Sequence, residues 1–248
     1  MLFKSERILE PEAMVSVEEV EAYDRLSLKY LTILHNGFIE TVINSSPSNG
    51  KFLEVGCGTG RIATGVASHT DDIEVKGVDI SENMLAVARK IAEEEQVGHK
   101  VSFEIADAKK LPFDDKTFDS VFCHNMLHHI PDPLPVLKEM SRVVKDDGAF
   151  LVRDLVRKPF LKAGMHVWGF GLTYNRLMKK EYMDSILASF SAKEFRKFVA
   201  DIDLEGLTMT NQFITHHGLE RVSGRKRDAV VSIPASFVKN ALKQFYLS

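Results

Sequence analysis

Three glycines at alternate positions, Gly56, Gly58 and Gly60, mark the part of this sequence with the clearest potential for chemistry. They follow a short apolar segment, residues 52–55, and precede a helical pattern that begins at Arg61. Because glycine has no Cβ, such a turn can bend sharply and let a ligand approach the backbone closely. Unpaired N–H groups at the start of the next helix can bind an anionic or polar group. This order of elements is typical of a nucleotide-binding corner, although other α/β proteins have similar turns.

The spacing of these glycines excludes two common nucleotide-binding motifs. The dinucleotide fingerprint G-x-G-x-x-G requires a glycine at its sixth position, where this chain has Arg61. No Lys-Ser or Lys-Thr pair directly follows the turn, so a P-loop is excluded as well. The remaining pattern, E-x-G-x-G-x-G, resembles the first motif of the class I S-adenosylmethionine-dependent methyltransferases. The resemblance implies that the cofactor is bound by Glu54, Gly56, Cys57, Gly58 and Gly60.

Two acids that follow the next predicted strands continue this resemblance. The pattern V-D-I-S-x-x-M-L is close to the family's second motif, and an acid in the position of Asp79 can accept hydrogen bonds from both ribose hydroxyls. Ile80 and Met84 offer an apolar surface to a purine. In the family, the acid at the position of Asp107 accepts a hydrogen bond from the adenine amino group. The N–H of the next residue, Ala108, then binds a ring nitrogen.

The loop H-N-M-L-H-H-I-P-D-P, residues 124–133, follows a predicted fourth strand. The preceding run, L-P-F-x-D-x-x-F-D-x-V, also resembles the family. Ligands in open α/β sheets bind outside the carboxyl ends of the strands, so this loop should face both cofactor and acceptor. His128 is a candidate general base because histidine titrates near neutral pH, and positioning of the loop is its alternative role. His124 and Asn125 are candidates for contacts at the edge of the cofactor.

Three histidines in one loop also raise the question of a metal site, since histidine is the commonest transition-metal ligand. The family's ordinary version of this loop is L-H-H-I-x-D-P, which works without a metal. We therefore predict no metal here. Methyl transfer from a sulfonium needs little beyond alignment of the nucleophile with the methyl group.

The end of the fifth predicted strand carries two further charged candidates. The run R-V-V-K-D-D-G-A-F-L-V resembles the family's third motif, R-x-L-K-P-G-G. Asp146 and Asp147 replace the proline and a glycine in a predicted surface turn at residues 145–148. Arg153 and Asp154, which finish the strand, either project into the acceptor site or form a charge pair with each other.

Two helical segments outside the motifs could cover the site. Tyr23-Asp24 followed by Tyr30 resembles the opening of relatives of the ubiquinone and menaquinone C-methyltransferases. This resemblance implies contact of Tyr23 with the methionine end of the cofactor, and packing on an apolar helix face is the alternative. Residues 158–190 are rich in aromatic residues and methionine, which favours a lid over an apolar or amphipathic acceptor or another protein surface. A plain packed helical segment is the alternative.

Apolar periodicity predicts the elements that must position these residues. Strands are predicted at residues 52–55, 74–79, 101–105, 118–123, 149–152, 207–215 and 229–233. Helices are predicted at residues 61–69, 82–95, 134–144, 192–200 and 235–245, with further helical pattern across 17–43. The resemblance implies a Rossmann-like α/β fold with a doubly wound, seven-stranded, mostly parallel sheet. It also implies an antiparallel C-terminal strand, helices on both faces and extra helical lid segments.

The chain of 248 residues could hold one domain or two smaller ones. We expect a single methyltransferase domain in four parts. Residues 1–48 would form an N-terminal helical cap and 49–156 the cofactor-binding core. Residues 157–205 would form a helical lid insertion, and 206–248 the closing strands and a C-terminal helix.

Composition narrows the classes of partner. The net charge of −3 gives no electrostatic argument for nucleic acid, and no N-P-P-Y-type loop follows the fourth strand. No run of about 18 apolar residues is present, so no membrane span is expected. Cys57 and Cys123 form neither a disulfide framework nor a metal-type pair, which suits a reducing cytoplasm.

These features together predict a methyltransferase that uses S-adenosyl-L-methionine, releases S-adenosyl-L-homocysteine and acts on a small, apolar acceptor. A cofactor-binding sensor or partner subunit without transfer activity is one alternative. Another is a different reaction on the same scaffold, such as decarboxylation, cyclisation or aminopropyl transfer, because a fold does not determine a function.

Overall fold

The computed structural model describes residues 6–10, 17–158, 160–172, 174–212 and 215–233. The helices are α1 (Val17–Leu26), α2 (Thr32–Ser45), α3 (Arg61–Ser68), α4 (Glu82–Glu94), α5 (Leu134–Val143), α6 (Phe160–Phe170), α7 (Arg176–Ala188) and α8 (Ala192–Ala200). The strands are β1 (Asn49–Val55), β2 (Asp72–Asp79), β3 (Val101–Ile105), β4 (Phe118–His124), β5 (Val144–Leu155), β6 (Thr208–Gln212) and β7 (His216–Arg221). A π-helical turn, Ser27–Leu31, joins α1 to α2, and a short 3-10 helix, Leu127–His129, follows β4.

The seven strands form one sheet in the order β3-β2-β1-β4-β5-β7-β6. Strands β1 to β5 pair in parallel, while β7 runs antiparallel to both β5 and β6. This architecture confirms the predicted fold class. Strand order runs outward in both directions from β1 and β4, so the carboxyl ends of these two strands flank the topological switch, where ligands bind in open sheets.

Apolar side chains cover both faces of the sheet, as parallel strands require. All seven residues of β4 are buried. One core cluster lies on the face that packs against α5 and α8, and it includes Val121, Leu137 and Phe195. The other lies under α2 and α3, and it includes Phe38, Val66 and Phe122. The carboxyl edge of the sheet is thereby held on a rigid base.

Strand β5 begins earlier than the sequence indicates. The predicted surface turn at residues 145–148 is wrong, because these residues belong to β5 and the register with β4 shifts between Phe118 and Ser120. Asp119 lies at this irregularity, where it accepts hydrogen bonds from Lys145 Nζ at 2.8 Å and from the Lys51 N–H at 2.9 Å. The Asp119 carboxylate thus binds both β1 and residues 145–148 of β5, which have no partner in the β4–β5 ladder.

The predicted strand at residues 229–233 is also wrong. The last strand in the described part of the chain is β7, whose sequence H-H-G-L-E-R lacks apolar alternation although most of it is buried between β5 and β6. Residues 229–233 leave the sheet, where Val230 is 83% exposed. Val231 instead exchanges two hydrogen bonds with the Asn44 side-chain amide, at 2.8 and 2.9 Å. The predicted helix at 235–245 lies outside the described residues.

Other boundaries agree with prediction to within a few residues. The capping box of α8 is present, with Ser191 and Glu194 each bonding the other's backbone. Within the described ranges, no helix combines the length and the apolar character needed to cross a membrane.

Candidate functional site

The turn after β1 adopts a backbone that only glycine accepts readily. Gly56, Gly58 and Gly60 have φ angles of 68°, 52° and 69°. A Cβ on Gly56 would collide with the Met126 side chain, whereas a Cβ on Gly58 would meet no atom within 4 Å. Gly56 therefore permits close packing of the loop at residues 124–133, called the histidine loop below. Gly58 leaves an open approach to the backbone.

Asp79 lies at the end of β2 beside this turn. Its Oδ2 accepts a hydrogen bond from the Gly58 N–H at 2.8 Å, and its Oδ1 accepts one from the Ser81 N–H at 2.9 Å. Burial raises the pKa of this carboxyl, and the backbone hydrogen bonds oppose the rise. Ile80 is 51% exposed beside it, and Met84 is half-buried in the first turn of α4.

The second acid, Asp107, follows the neighbouring strand. Asp79 pairs with Ile105 in the β2–β3 ladder, and the Ala106 N–H donates to the Asp79 carbonyl at 3.1 Å. The exposed Asp107 accepts the Lys109 N–H at 2.9 Å, and Ala108 lies next to it. The structure thus brings both acids to the tips of adjacent parallel strands, at the edge where the glycine turn lies.

Two predicted cofactor residues support the turn from inside the fold. Glu54 is 2% exposed, and its Oε2 accepts a hydrogen bond from the Ala63 N–H of α3 at 2.8 Å. Burial raises the pKa of this carboxyl well above its usual value. Cys57 is also buried, and its Sγ lies close to Gly77 in β2. Both side chains are directed into the protein rather than toward the open side of Gly58.

An ion pair joins the N-terminal helix to the glycine turn. Arg61 Nε and Nη2 donate to the two carboxylate oxygens of Asp24 at 2.9 and 2.7 Å. Tyr23 lies close by, and burial together with the charges of Asp24, Asp79 and Glu54 raises its pKa to about 12. The helix α1 is therefore fixed across the turn, and the Tyr23 phenol lies near the carboxylates of Asp79 and Glu54.

His128, on the loop after β4, and Asp154, near the end of β5, form a buried pair. His128 Nδ1 and Asp154 Oδ1 are 2.7 Å apart, and the two residues are 3% and 1% exposed. Burial alone would lower the pKa of His128, but the charge and hydrogen bond of Asp154 raise it. Burial would raise the pKa of Asp154, but His128 lowers it. The alternative that Asp154 pairs with Arg153 is therefore wrong.

The N-terminal segment fastens this loop from outside. Arg7 donates to the carbonyl oxygens of His128, Ile130 and Pro131 at 2.9, 2.7 and 2.7 Å. Its guanidinium also lies 3.9 Å from the ring centroid of Phe190. The carbonyls that follow the 3-10 turn are thereby satisfied, which holds the loop in one conformation.

One group in the described part of the chain has the spacing of metal ligands. Glu10, His128 and His129 each bring one nitrogen or oxygen within 4.8 Å of the others. His129 Nδ1 is 3.5 Å from Glu10 Oε2, and Glu10 also accepts a hydrogen bond from Ser185 Oγ at 3.2 Å. These three side chains could hold a cation, while the expectation of no metal stays a prediction.

A second set of histidines lies on the α2 side of the sheet. His124 lies at the end of β4. Its ring centroid is 5.5 Å from that of His35, 4.8 Å from that of Phe38 and 6.2 Å from that of His216. Burial lowers the pKa of His124 well below its usual value and the pKa values of His35 and His216 to about 4. Asn125, the next residue, has a positive φ of 50°. This set contains neutral imidazoles at neutral pH.

Comparison with known proteins identifies the family. A family model described as a methyltransferase domain matches residues 46–193, more than half of the chain. The chain belongs to this methyltransferase domain family. The matched range contains the glycine turn, both acids and the histidine loop, and the assignment confirms the resemblance stated from the motifs.

Two curated relatives and one solved structure are similar to this methyltransferase domain. Methyltransferase GfsG of Streptomyces halstedii is 40% identical over 106 residues, which cover 43% of this chain and 38% of that protein. The 27-O-demethylrifamycin SV methyltransferase of Amycolatopsis mediterranei is 30% identical over 155 residues, which cover 62% of this chain and 54% of that protein. A putative S-adenosyl-L-methionine-dependent methyltransferase of Methanococcus maripaludis has a solved structure that matches with a TM-score of 0.68 and 15% identity. The match covers 90% of this chain and 100% of that one.

This methyltransferase domain therefore spans only part of the two curated relatives, 38% and 54% of their lengths. The solved structure, at 15% identity, shows a shared fold alone.

Several site residues of this methyltransferase domain were not predicted. The role of Arg7 had no sequence signal, because its partners lie more than 120 positions away. Arg61 did have one, since it replaces the sixth glycine of the dinucleotide motif and so places a cation at the turn. His35 and His216 reach the site from α2 and β7, and neither belongs to a family motif quoted above.

Proposed function

We propose that this chain transfers a methyl group from S-adenosylmethionine to an oxygen atom of a small-molecule acceptor. The observation that carries the proposal is the buried His128–Asp154 pair, 2.7 Å apart, in which His128 lies on the loop whose Met126 packs against Gly56 of the glycine turn. A base held so close to a nucleotide-type corner suits an acceptor that must lose a proton as its oxygen is methylated.

The glycine corner fits an adenosyl group. Gly58 has open space where a Cβ would stand, and the half-buried carboxylate of Asp79 lies beside it. In this proposal Asp79 accepts hydrogen bonds from the ribose, Asp107 accepts one from the adenine amino group, and the Ala108 N–H binds a ring nitrogen. When bound, the cofactor supplies an activated methyl group on a positively charged sulfur.

The remaining expected cofactor contacts stay predictions with different kinds of support. Ile80, which is 51% exposed between β2 and α4, and the half-buried Met84 of α4 offer apolar surface to a purine face. Tyr23 is supported by its proximity to the corner carboxylates. The other members of the predicted set are Glu54, Gly56, Cys57, Gly60, His124 and Asn125.

His128 acts as the general base in this proposal, and Asp154 orients it. With its Nδ1 hydrogen directed at Asp154, the neutral ring keeps Nε2 as its basic nitrogen. Asp154 Oδ2 also accepts the Leu127 N–H at 2.7 Å, which fixes the carboxylate in turn. The proton leaves the acceptor hydroxyl for Nε2 while the oxygen gains the methyl group, and Asp154 stabilises the resulting imidazolium.

Oxygen as the methylated atom has further support from a relative, the 27-O-demethylrifamycin SV methyltransferase, whose printed name describes an O-demethylated compound. We also propose that residues 1–48 cap the cofactor and that 157–205 cover the acceptor. The Asp24–Arg61 pair supports the cap, since it links α1 to the glycine turn. Two buried, unpaired cysteines support a reducing, cytoplasmic setting.

The test uses the purified full chain, methyl-labelled S-adenosylmethionine and hydroxylated small molecules, with product detected by mass spectrometry. We expect label on an oxygen of an acceptor and formation of S-adenosylhomocysteine. Cofactor binding without transfer to any acceptor would instead support the sensor alternative. Label recovered on carbon or nitrogen would remove the role assigned to His128 as a hydroxyl base.

A further inference from the structure

Arg153 is a buried arginine without an acidic partner among the residues that the structure describes. Arg153 is 7% exposed, and the one hydrogen bond that its side chain makes there runs from Nη2 to Thr41 Oγ1 at 2.9 Å. The guanidinium lies 4.8 Å from the ring centroid of Phe38. Its Nε is buried without a hydrogen-bond partner. The donor capacity of this side chain is therefore largely unused.

Two other arginines with buried side chains have strong acceptors that Arg153 lacks, although the Nε of Arg157 is also without a partner. Arg157 donates from Nη2 to both carboxylate oxygens of Glu194, at 2.8 and 2.7 Å. Arg221 donates to the carbonyl oxygens of Gly148 and Lys145 at 3.0 and 2.7 Å. Since a buried cation without a partner is costly, the contrast suggests that the partner of Arg153 is a ligand.

The surroundings of Arg153 add unpaired polar nitrogens, and the one acid whose charge acts on its pKa, Glu220, forms no ion pair with it among the described residues. His124 Nε2 and His216 Nε2 are both buried without a hydrogen-bond partner. Both imidazoles are neutral at neutral pH, because burial lowers their pKa values and the charge of Arg153 contributes. In the tautomer with a proton on Nε2, each ring donates one hydrogen bond. The Arg153 cation and the two neutral imidazole donors together suit a ligand with a pair of oxygen atoms that share a negative charge.

The position of this set is that of a ligand site. His124 pairs with Arg153 across β4 and β5, and Leu155 pairs with His216 across β5 and β7, at the carboxyl edge of the sheet. His128 is near enough for its charge to lower the pKa of both His124 and His216. An acceptor held by Arg153 would therefore lie within reach of the proposed base.

We propose that Arg153, with His124 and His216, binds a carboxylate group of the methyl acceptor, which is accordingly a hydroxylated organic acid. The planar guanidinium fork matches a carboxylate, and one cation balances one negative charge. A phosphate dianion would need more positive charge than this set supplies. The inference rests on the proposed transfer to a small-molecule oxygen, and it adds the chemical class of the substrate.

The experiment compares hydroxylated carboxylic acids, such as 4-hydroxybenzoic acid, with their neutral amides. Binding to the full chain is measured by calorimetry, with and without saturating S-adenosylhomocysteine. We expect acids to bind about 10-fold or more tightly than their amides, and Arg153→Met to weaken acid binding by about 30-fold or more. The amides should bind the variant and the original chain alike.

Arg157→Met is the matched control. It removes a buried arginine that already has a carboxylate partner, so it should lower the melting temperature and leave the acid preference intact. Arg153→Met should keep or raise the melting temperature, since it removes an unpaired buried charge. The proposal is overturned if no acid binds, if acid and amide bind equally, or if Arg153→Met keeps the preference. The two proposals fail separately, because acid binding is also measured in the absence of S-adenosylhomocysteine. If S-adenosylhomocysteine does not bind, the cofactor assignment is wrong, whatever the acids do.

Discussion

The substitution Asp154→Asn tests whether the buried carboxylate controls the protonation of His128. Asp154 accepts three hydrogen bonds of 2.7 Å, from His128 Nδ1 and from the N–H groups of Leu127 and Leu155. An asparagine has one acceptor oxygen, and its NH₂ group can only donate. At least one of these three buried donors must then lose its partner.

The magnitude follows from these contacts. Breaking a buried ion pair and leaving a buried donor unpaired costs about 2–4 kcal/mol of stability. For a chain of this size that loss lowers the melting temperature by about 5–15 °C. Without the carboxylate charge, burial and Arg7 lower the pKa of His128 while Glu10 raises it. Because burial is the largest of these effects, the pKa should fall from above 6.5 to below it.

The sign of the pH dependence distinguishes this mechanism from a general loss of structure. A base works in its neutral form, so activity should rise with pH through the pKa of His128, and Asp154→Asn should move this rise to lower pH. The raised pKa of His128 stabilises the fold below pH 6.5 and loses that effect as pH rises through the folded value. The lowered pKa of Asp154 stabilises the fold above pH 3.8 and loses it as pH falls through the folded value. The stability difference between the two proteins should therefore be largest near pH 4–6.5.

The assay is a pH profile of kcat/KM together with thermal unfolding at several pH values. Turnover near neutral pH should fall by about 10²-fold or more, since the base loses its orienting partner. Asp132→Asn is the control, because this acid lies on the same loop and is exposed. An unchanged acidic limb in Asp154→Asn, despite lowered stability, would refute the role of His128 as base.

Three further predictions concern the glycine corner and its cap. Asp79→Asn should weaken S-adenosylhomocysteine binding by about 10–100-fold in calorimetry, through loss of charge-assisted hydrogen bonds, and unchanged affinity would exclude the ribose role. Gly58→Ala should cost about 1–2 kcal/mol of stability because φ is 52°, and should weaken the same ligand further by filling the open approach; full affinity would show that the cofactor lies elsewhere. Asp24→Asn should speed amide hydrogen exchange in α1 without affecting β4, since it breaks the bidentate pair with Arg61; unchanged exchange in α1 would show that other contacts hold the cap.

The sequence predicted the glycine corner well because its signals are local. Alternate glycines and the acid after β2 lie within about 25 residues, and the backbone of that turn needs residues without a Cβ. Strand β4 was found because a parallel strand buried on both faces reads as an apolar run. Strands β2 and β3 are only partly buried, and they were found because apolar residues recur along them.

Strand β7, which carries His216, and the path of residues 229–233 could not be predicted in the same way. Strand β7 buries two histidines, a glycine and an arginine, so it lacks the alternation that marks a half-buried strand. The segment at residues 229–233 has the apolar character of a strand, yet the Asn44 side chain takes its backbone hydrogen bonds. In both places a long-range polar contact outweighs the local pattern.

Alternation along β5 explains how adjacent residues can serve two purposes. Successive side chains of a strand point to opposite faces. Asp154 therefore bonds His128 on the face that packs against α8, while Arg153 reaches Thr41 of α2 on the other. The two charges cannot neutralise each other, although they are neighbours in sequence. Under the proposals above, an acceptor that lies across the strand ends meets the base from one face and its carboxylate anchor from the other. This division predicts that Arg153→Met acts mainly on KM and Asp154→Asn mainly on kcat, and a reversal of that split would contradict it.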